Sequence, residues 1–223
     1  MNPKITLDSV AQLIKREESI NKLVDLVIKN PSAINELISA LETEKSNIKF
    51  SYEKILRLIS EKKPELIYPY FDFFVKLLDS ENNFLKWGAI ITIANLTAVD
   101  EGNKFDRVFK KYYQPIAGPV MVTAANIVRN SWKIALAKPY LAVKITGEIL
   151  KVPKGEYINR GKISAECKNV VCGKAIDSLS LFYERIENKK PVLDFVKKQL
   201  NNRRIPVRRK AEKFLKKFGN KSE

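Results

Sequence analysis

Two stretches decide how this chain folds: NFLKWGAIITIANLTAV at residues 83–99 and PVRRKAEKFLKKF at residues 206–218. In each, a basic residue (Lys86, Arg208) stands three positions before a small one (Ala89, Ala211), and a large apolar residue (Ile93, Leu215) follows four positions later. Residues three and four apart share a helix face. A small side chain lets a neighbouring helix approach, and the large one a turn further on fills the groove beside it. Each stretch therefore reads as a helix that packs through one defined seam.

With the anchor taken as small or apolar, the arrangement recurs outward from these two. Tyr52 pairs with Leu56 behind Lys49, and Ala175 pairs with Leu179. Ala125 is followed by Arg129 where an apolar residue is expected, although Val128 and Trp132 fill that face. The anchors at 52, 89, 125, 175 and 211 are separated by 37, 36, 50 and 36 residues. Around them the chain keeps a 3.6-residue period, and no convincing stretch alternates with period two. Helices are predicted over 6–16, 18–29, 31–43, 47–61, 64–79, 83–99, 103–115, 119–137, 139–151, 163–187, 191–200 and 206–218. Asn30-Pro31, Lys63-Pro64, Gly118-Pro119, Lys138-Pro139, Lys190-Pro191 and Ile205-Pro206 punctuate them, proline being tolerated where a helix starts.

On the strength of Lys86-Trp87-Gly88-Ala89 with Ile93, and of Arg208-Arg209-Lys210-Ala211 with Leu215, the chain resembles the HEAT/armadillo class of helical repeats, whose units run about 40 residues. The resemblance covers roughly residues 30–218. It implies an all-α, right-handed solenoid of about five to six antiparallel helix pairs. The whole of 1–223 is then a single solenoid, with 1–29 as an N-terminal cap pair and 191–218 as a basic C-terminal cap pair. The jump to a spacing of 50 places an insertion near 151–162, with two Gly, one Pro and four basic residues. Insertions in repeat proteins become loops on one face, and this one either contacts a ligand or merely connects helices.

The resemblance also implies that the second helix of each pair lines a concave face. Opposite the anchors lie Lys86, Ile90 and Asn95 in 83–99, and Thr123, Asn126, Asn130 and Lys133 in 119–137, with Arg129 beside them. Helix 163–187 offers Glu166, Asn169, Gly173, Asp177, Ser180 and Glu184. Helix 206–218 offers Arg209, Glu212, Lys213 and Lys216, flanked by Arg208, Lys210 and Lys217. The candidate binding residues are therefore Asn126, Arg129, Asn130 and Lys133, then Lys154 and Arg160 of the insertion, then Arg208, Arg209, Lys213 and Lys216. Asp177 and Glu184 put negative charge between the two basic patches, which argues against one continuous phosphate track.

Charge sharpens the choice of partner. The net charge is +16, but residues 1–100 hold 13 Lys/Arg against 14 Asp/Glu, and residues 101–223 hold 28 against 11. Such a field attracts an acidic protein or a nucleic acid, unless the basic C-terminal end is simply a solvated cap. The composition, 45% hydrophobic and 30% charged, excludes general disorder. No apolar run suits a membrane span, and the start, with Lys4, Asp8, Lys15 and Arg16, lacks a signal-peptide core. With two cysteines and no disulfide framework, a cytoplasmic location is the default expectation.

Evidence for catalysis is thin. The chain has no histidine, the commonest general base and metal ligand. Cys167 and Cys172 stand five apart, about 140° around a helix, which is not ligand spacing. Cys167 reads as a core thiol, and Cys172 is ambiguous. No glycine-rich phosphate loop occurs, and no cofactor is expected. In outline and charge the chain also resembles helical-repeat DNA glycosylases for alkylated bases, with Trp87, Trp132, Asp177, Arg129 and Arg209 as the matching residue types. The leading expectation is a non-catalytic scaffold that binds a protein through its concave face and inserted loop; the alternative is DNA or RNA binding through the basic half.

Overall fold

The computed structural model describes residues 6–219, so the first five residues of the expected N-terminal cap pair lie outside the described residues. The chain divides into two compact units, one ending at Lys104 and the other starting at Phe105. That division falls where the charge changes. The first unit holds 14 Lys/Arg against 15 Asp/Glu and the second 27 against 10, so their net charges are −1 and +17.

The first unit contains α1 (Leu7–Lys15), α2 (Ile20–Lys29), α3 (Ser32–Thr43), α4 (Ile48–Lys62), α5 (Pro64–Ile67), α6 (Phe71–Leu77) and α7 (Asn83–Leu96). Thr6, Ser19 and Asn82 cap α1, α2 and α7 by accepting backbone N–H groups on their side-chain oxygens. The predicted helix 64–79 is broken into α5 and α6 by a tight turn at Tyr68–Tyr70. Pro69 within that turn has no N–H to give, and its ring crowds the preceding turn. The second helices α2, α4 and α7 lie side by side in order, with α3 against α4 and α6 against α7. Ile55, Leu56 and Ile59 of α4 and Ile93 of α7 are wholly buried, each stabilising by roughly 1.5–3 kcal/mol.

Several polar groups inside this unit are matched, although the Thr92 hydroxyl of α7 is buried without a hydrogen-bond partner among the described residues. Asn95 donates its amide to Ser60 Oγ at 2.9 Å, and Ser60 donates to the Arg57 carbonyl at 2.6 Å. Glu53 is buried on α4 facing Gly88 of α7, where a Cβ would stand 1.9 Å from its Oε1. Arg57 Nε reaches that oxygen at 3.1 Å.

The second unit contains α8 (Lys104–Tyr113, which crosses the boundary at its first residue), α9 (Met121–Ala137), α10 (Ala142–Ile149), α11 (Ala165–Phe182), α12 (Lys190–Lys198) and α13 (Ile205–Phe218). The second helices α9, α11 and α13 again pack side by side in order, with α10 on α9 and α12 on α13. Ala175 and Ala211 are fully buried anchors, as their spacing predicts. On α9 the anchor is displaced by one residue: Ala124 and Val128 are fully buried, while Ala125 is half-buried and Arg129 exposed. One residue turns a helix face by about 100°, so this displacement moves the whole stripe. Lys138, which reads as punctuation in the sequence, is buried, with its ammonium 3.2 Å from Tyr140 Oη and 3.6 Å from Asp106 Oδ2.

The insertion is not an irregular loop. It holds a short antiparallel hairpin, β1 (Ile158–Asn159) and β2 (Lys162–Ile163), in which Ile158 pairs with Ile163 and Asn159 with Lys162. Arg160 (φ 50°) and Gly161 (φ 75°) form the turn, both in the left-handed region that a tight two-residue hairpin requires. Tyr157, fully buried, donates its hydroxyl to the Ile116 carbonyl at 2.7 Å. The amides of Glu156 and Ile158 donate to Ala117 and Pro119 at 2.9 Å each, fixing the hairpin beside the segment that enters α9. Gly118 (φ 124°) permits this approach, because a Cβ there would lie 2.2 Å from the Glu156 carbonyl oxygen.

Candidate binding surface

The solvent face of the second unit is built on α9, α11 and α13. On α9 Val122, Arg129 and Leu136 are exposed, as is the last residue Ala137, with Asn126 and Lys133 half-buried. The expected stripe is thus corrected. Thr123 and Asn130 are buried, since the seam follows Ala124 and not Ala125. Asn126 and Asn130 spend their amides on the helix itself, donating to the Val122 and Asn126 carbonyls at 3.0 and 2.8 Å. The α7 stripe needs the same correction: Ile90 and Asn95 are buried, and only Lys86 of the three is partly open.

On α13 the expectation agrees with the structure. Arg209, Lys213 and Lys216, at i, i+4 and i+7, share one exposed face, and among the described residues none has a carboxylate within ion-pair distance. Arg208 differs. It is half-buried and held by the carbonyls of Asn202 and Arg203 at 2.9 and 3.4 Å. In the insertion, Lys154 and Arg160 are both exposed, Arg160 at the hairpin tip, with the exposed Ile158 and Ile163 behind it.

Helix α11 lies between the two basic helices, and its two carboxylates, with Glu184 in the turn just after it, are already engaged. Glu166 meets Arg204 at 2.7 Å, Asp177 bonds Lys210 of α13, and Glu184 stands 3.9 Å from Lys189. Asp106, Glu148 and Asp194 are likewise paired with Lys138, Lys151 and Lys190. The negative charge between the basic stripes is therefore compensated within the unit. Sequence spacing does not reveal this, because Asp177 and Lys210 lie on different helices.

Between α11 and α13 lies an open cavity of about 220 Å³. The buried Ile176, Phe214 and Phe218 form its interior, and the more exposed Ser180, Lys213 and Lys217 stand at its mouth. Asp177 and Lys210 complete the lining. The residue types matching a glycosylase pocket are not gathered there. Trp87 belongs to the first unit and packs on Phe84 at 5.4 Å, while Trp132 is half-buried on α9 with the Lys133 ammonium 5.9 Å from its ring. Both cysteines are buried and free, and burial pushes the Cys172 thiol up to about 11. That holds it protonated at neutral pH.

No family model and no curated protein matches the chain. Among solved structures it is similar to a designed armadillo repeat protein, at 14% identity and a TM-score of 0.50, over 94% of this chain and 91% of that one. The chain has an armadillo/HEAT-like helical-repeat fold. The armadillo-like pairs account for the anchors at Ala89, Ala175 and Ala211, each buried against a neighbouring second helix. Among the described residues, no group of three or more acidic or cysteine side chains is placed to hold a metal ion, and no helix is long and apolar enough to cross a membrane.

Proposed function

We propose that this protein is a non-catalytic binding scaffold whose armadillo-like second unit holds an acidic protein segment along α9, α11 and α13, with the hairpin as a second contact. One observation carries the reading. The acidic side chains between the basic stripes are consumed by internal pairs, while Arg129, Arg209, Lys213, Lys216, Lys154 and Arg160 face solvent. Uncompensated cations on rigid helices favour a polyanionic partner. The exposed Val122, Leu136 and Leu181 interleave with them and offer apolar contacts that a phosphate backbone does not need.

Nucleic-acid binding is the second reading, favoured by the net charge of +17 in this unit. The test is selection of short random peptides on the full chain, beside titrations of labelled duplex DNA and of RNA at two salt concentrations. The scaffold reading expects enrichment of sequences that mix Asp or Glu with large apolar residues, and loss of that enrichment in Arg129→Glu and Arg209→Glu chains. Absence of any enriched peptide, together with DNA or RNA affinity that drops steeply with salt, would replace it by the second reading.

A further inference from the structure

We infer that the first unit carries a further site, a groove between α1 and the start of α4 that takes the carboxyl-terminal lysine of a polypeptide, with the ammonium at one end and the carboxylate at the other. This goes beyond the scaffold reading and does not rest on the basic face of the second unit. The groove is open and holds about 560 Å³, room for one long side chain together with the chain end that bears it. Along its middle the walls are Ala11 and Ile14 of α1 and Ile48 of α4, each half-buried, so an aliphatic stem has apolar surface to cover.

Charge gives the groove two ends. Asp8 and Glu44 line it, and among the described residues neither carboxylate has a cation within ion-pair distance. Glu44 accepts the Ser46 amide at 2.7 Å, which fixes its position. Lys49, whose charge also reaches Glu44, holds its ammonium over the Phe50 ring at 5.7 Å and does not line the groove. Lys15 does line it, exposed and likewise without an ion pair among the described residues. Asp8 and Lys15 are seven residues apart on one face of α1, which sets them about 10 Å apart along its axis.

Tyr52 marks the acidic end. The side chain is 2% exposed, yet its hydroxyl is not sealed from solvent, and no hydrogen bond reaches it among the described residues. Burial raises its pKa, and the charges of Glu44 and Asp8 raise it further, so the hydroxyl lies close to both carboxylates. A largely buried polar group without a partner is costly, and this one opens into the groove. An ammonium there has three protons to give, one to each carboxylate and one to the phenol oxygen. A carboxylate on the same stem then answers Lys15.

The experiment is titration of the full chain with Nα-acetyl-lysine, followed by amide NMR. Its carboxamide, which lacks the carboxylate, Nα-acetyl-norleucine, which lacks the ammonium, and free lysine are titrated in parallel. Saturable shifts at Ala11, Lys15, Glu44 and Tyr52 are expected, with norleucine and the carboxamide each weaker by roughly tenfold. Free lysine is also weaker, because its second ammonium faces Lys15. Tyr52→Phe weakens Nα-acetyl-lysine by roughly tenfold and leaves the denaturant transition of the first unit in place, since the hydroxyl bonds nothing within the described protein. Lys15→Met brings Nα-acetyl-lysine down to the level of its carboxamide and leaves the carboxamide unchanged. That selective loss separates binding from general damage to the fold. Norleucine binding as well as lysine, indifference to Tyr52→Phe, or a carboxamide equal to the acid in the unaltered chain would overturn the inference. Preference for free lysine would overturn the polypeptide chain end as the ligand.

Discussion

The two units solve one packing problem and carry differently charged surfaces. Each stacks its second helices, α2, α4 and α7 in one and α9, α11 and α13 in the other, through buried apolar faces. Yet the first unit is nearly neutral and the second carries +17. Architecture is set by what the helices bury, and charge is a property of what they leave outside. The difference also reaches the interiors. The first unit holds a carboxylate, Glu53, packed under Gly88; the second holds an ammonium, Lys138, answered by Asp106 and Tyr140. Each unit has one tryptophan, Trp87 or Trp132, so Trp132→Phe and Trp87→Phe chains report the units separately by fluorescence.

The sharpest break falls on the second unit. Gly118→Ala forces a side chain into a backbone conformation that only glycine adopts easily, and drives its Cβ against the Glu156 carbonyl. We expect a loss of at least about 3 kcal/mol in the denaturant transition seen by Trp132, with the Trp87 transition in place. Tyr157→Phe removes only the hydroxyl bond to Ile116 and should cost about 1–2 kcal/mol in the same transition. An unchanged Trp132 midpoint in Gly118→Ala would mean that the hairpin contributes nothing to the stability of its unit.

The matching lesion in the first unit is Gly88→Ala. Its Cβ would displace the Glu53 carboxylate from the α4–α7 seam, breaking the bond to Arg57. A cost of about 2–3 kcal/mol at the Trp87 transition is expected, less than at Gly118 because the obstacle is a side chain and not backbone. Adding Glu53→Gln should leave that cost in place, whereas Glu53→Ala should recover much of it by opening the space.

What the sequence revealed follows from this contrast. Helix positions and the seams at Ala89, Ala175 and Ala211 were legible because small-then-large spacing directly encodes a packed face. The α9 face was not, since that helix is apolar on most sides and the 36-residue spacing from Ala89 points to Ala125, although Ala124 with Val128 fits the small-then-large pattern that Arg129 breaks. That ambiguity hid the burial of Thr123 and Asn130 and the exposure of Val122 and Leu136. The hairpin escaped because its strands are two residues each, too short to show alternation; Arg160-Gly161 was its one local sign. Of the candidate site, Arg209, Lys213 and Lys216 were readable from one helix. The Asp177–Lys210 pair and the cavity beside it were not, because they join helices far apart in the chain.

A pH series sharpens the comparison of interiors. Burial pushes the Glu53 carboxyl from an ordinary 4.5 up to about 7, against the opposing pull of Arg57. A raised folded value means that the unfolded chain releases this proton first as pH rises. The stability it supports is full below about 4.5 and is lost as pH climbs through about 7. The Trp87 transition should weaken by on the order of 1–2 kcal/mol between pH 5 and pH 8. The Glu53→Gln chain should flatten that slope, and a slope that persists in it would locate the titrating group elsewhere.

Salt gives the smallest effect and the most direct reading of surface charge. In the second unit, 27 basic residues against 10 acidic ones repel across short distances, and most of the described carboxylates are committed to pairs. Screening weakens repulsion among the exposed lysines and arginines over a Debye length of about 8–10 Å, near the spacing of side chains along α13. It also weakens the internal pairs, most of which are substantially exposed, but the basic residues of the unit outnumber those pairs. Sodium chloride should therefore raise the Trp132 midpoint by less than about 1 kcal/mol, and leave the Trp87 midpoint of the balanced unit unmoved. Arg209→Ala and Lys213→Ala should reproduce part of that gain at low salt, because each removes a repulsive charge with no ion-pair partner among the described residues. A fall in the Trp132 midpoint with added salt would reverse the ranking: the pairs at Glu166, Asp177 and Asp106 would then outweigh the repulsion, and the basic face would be part of what holds the unit together.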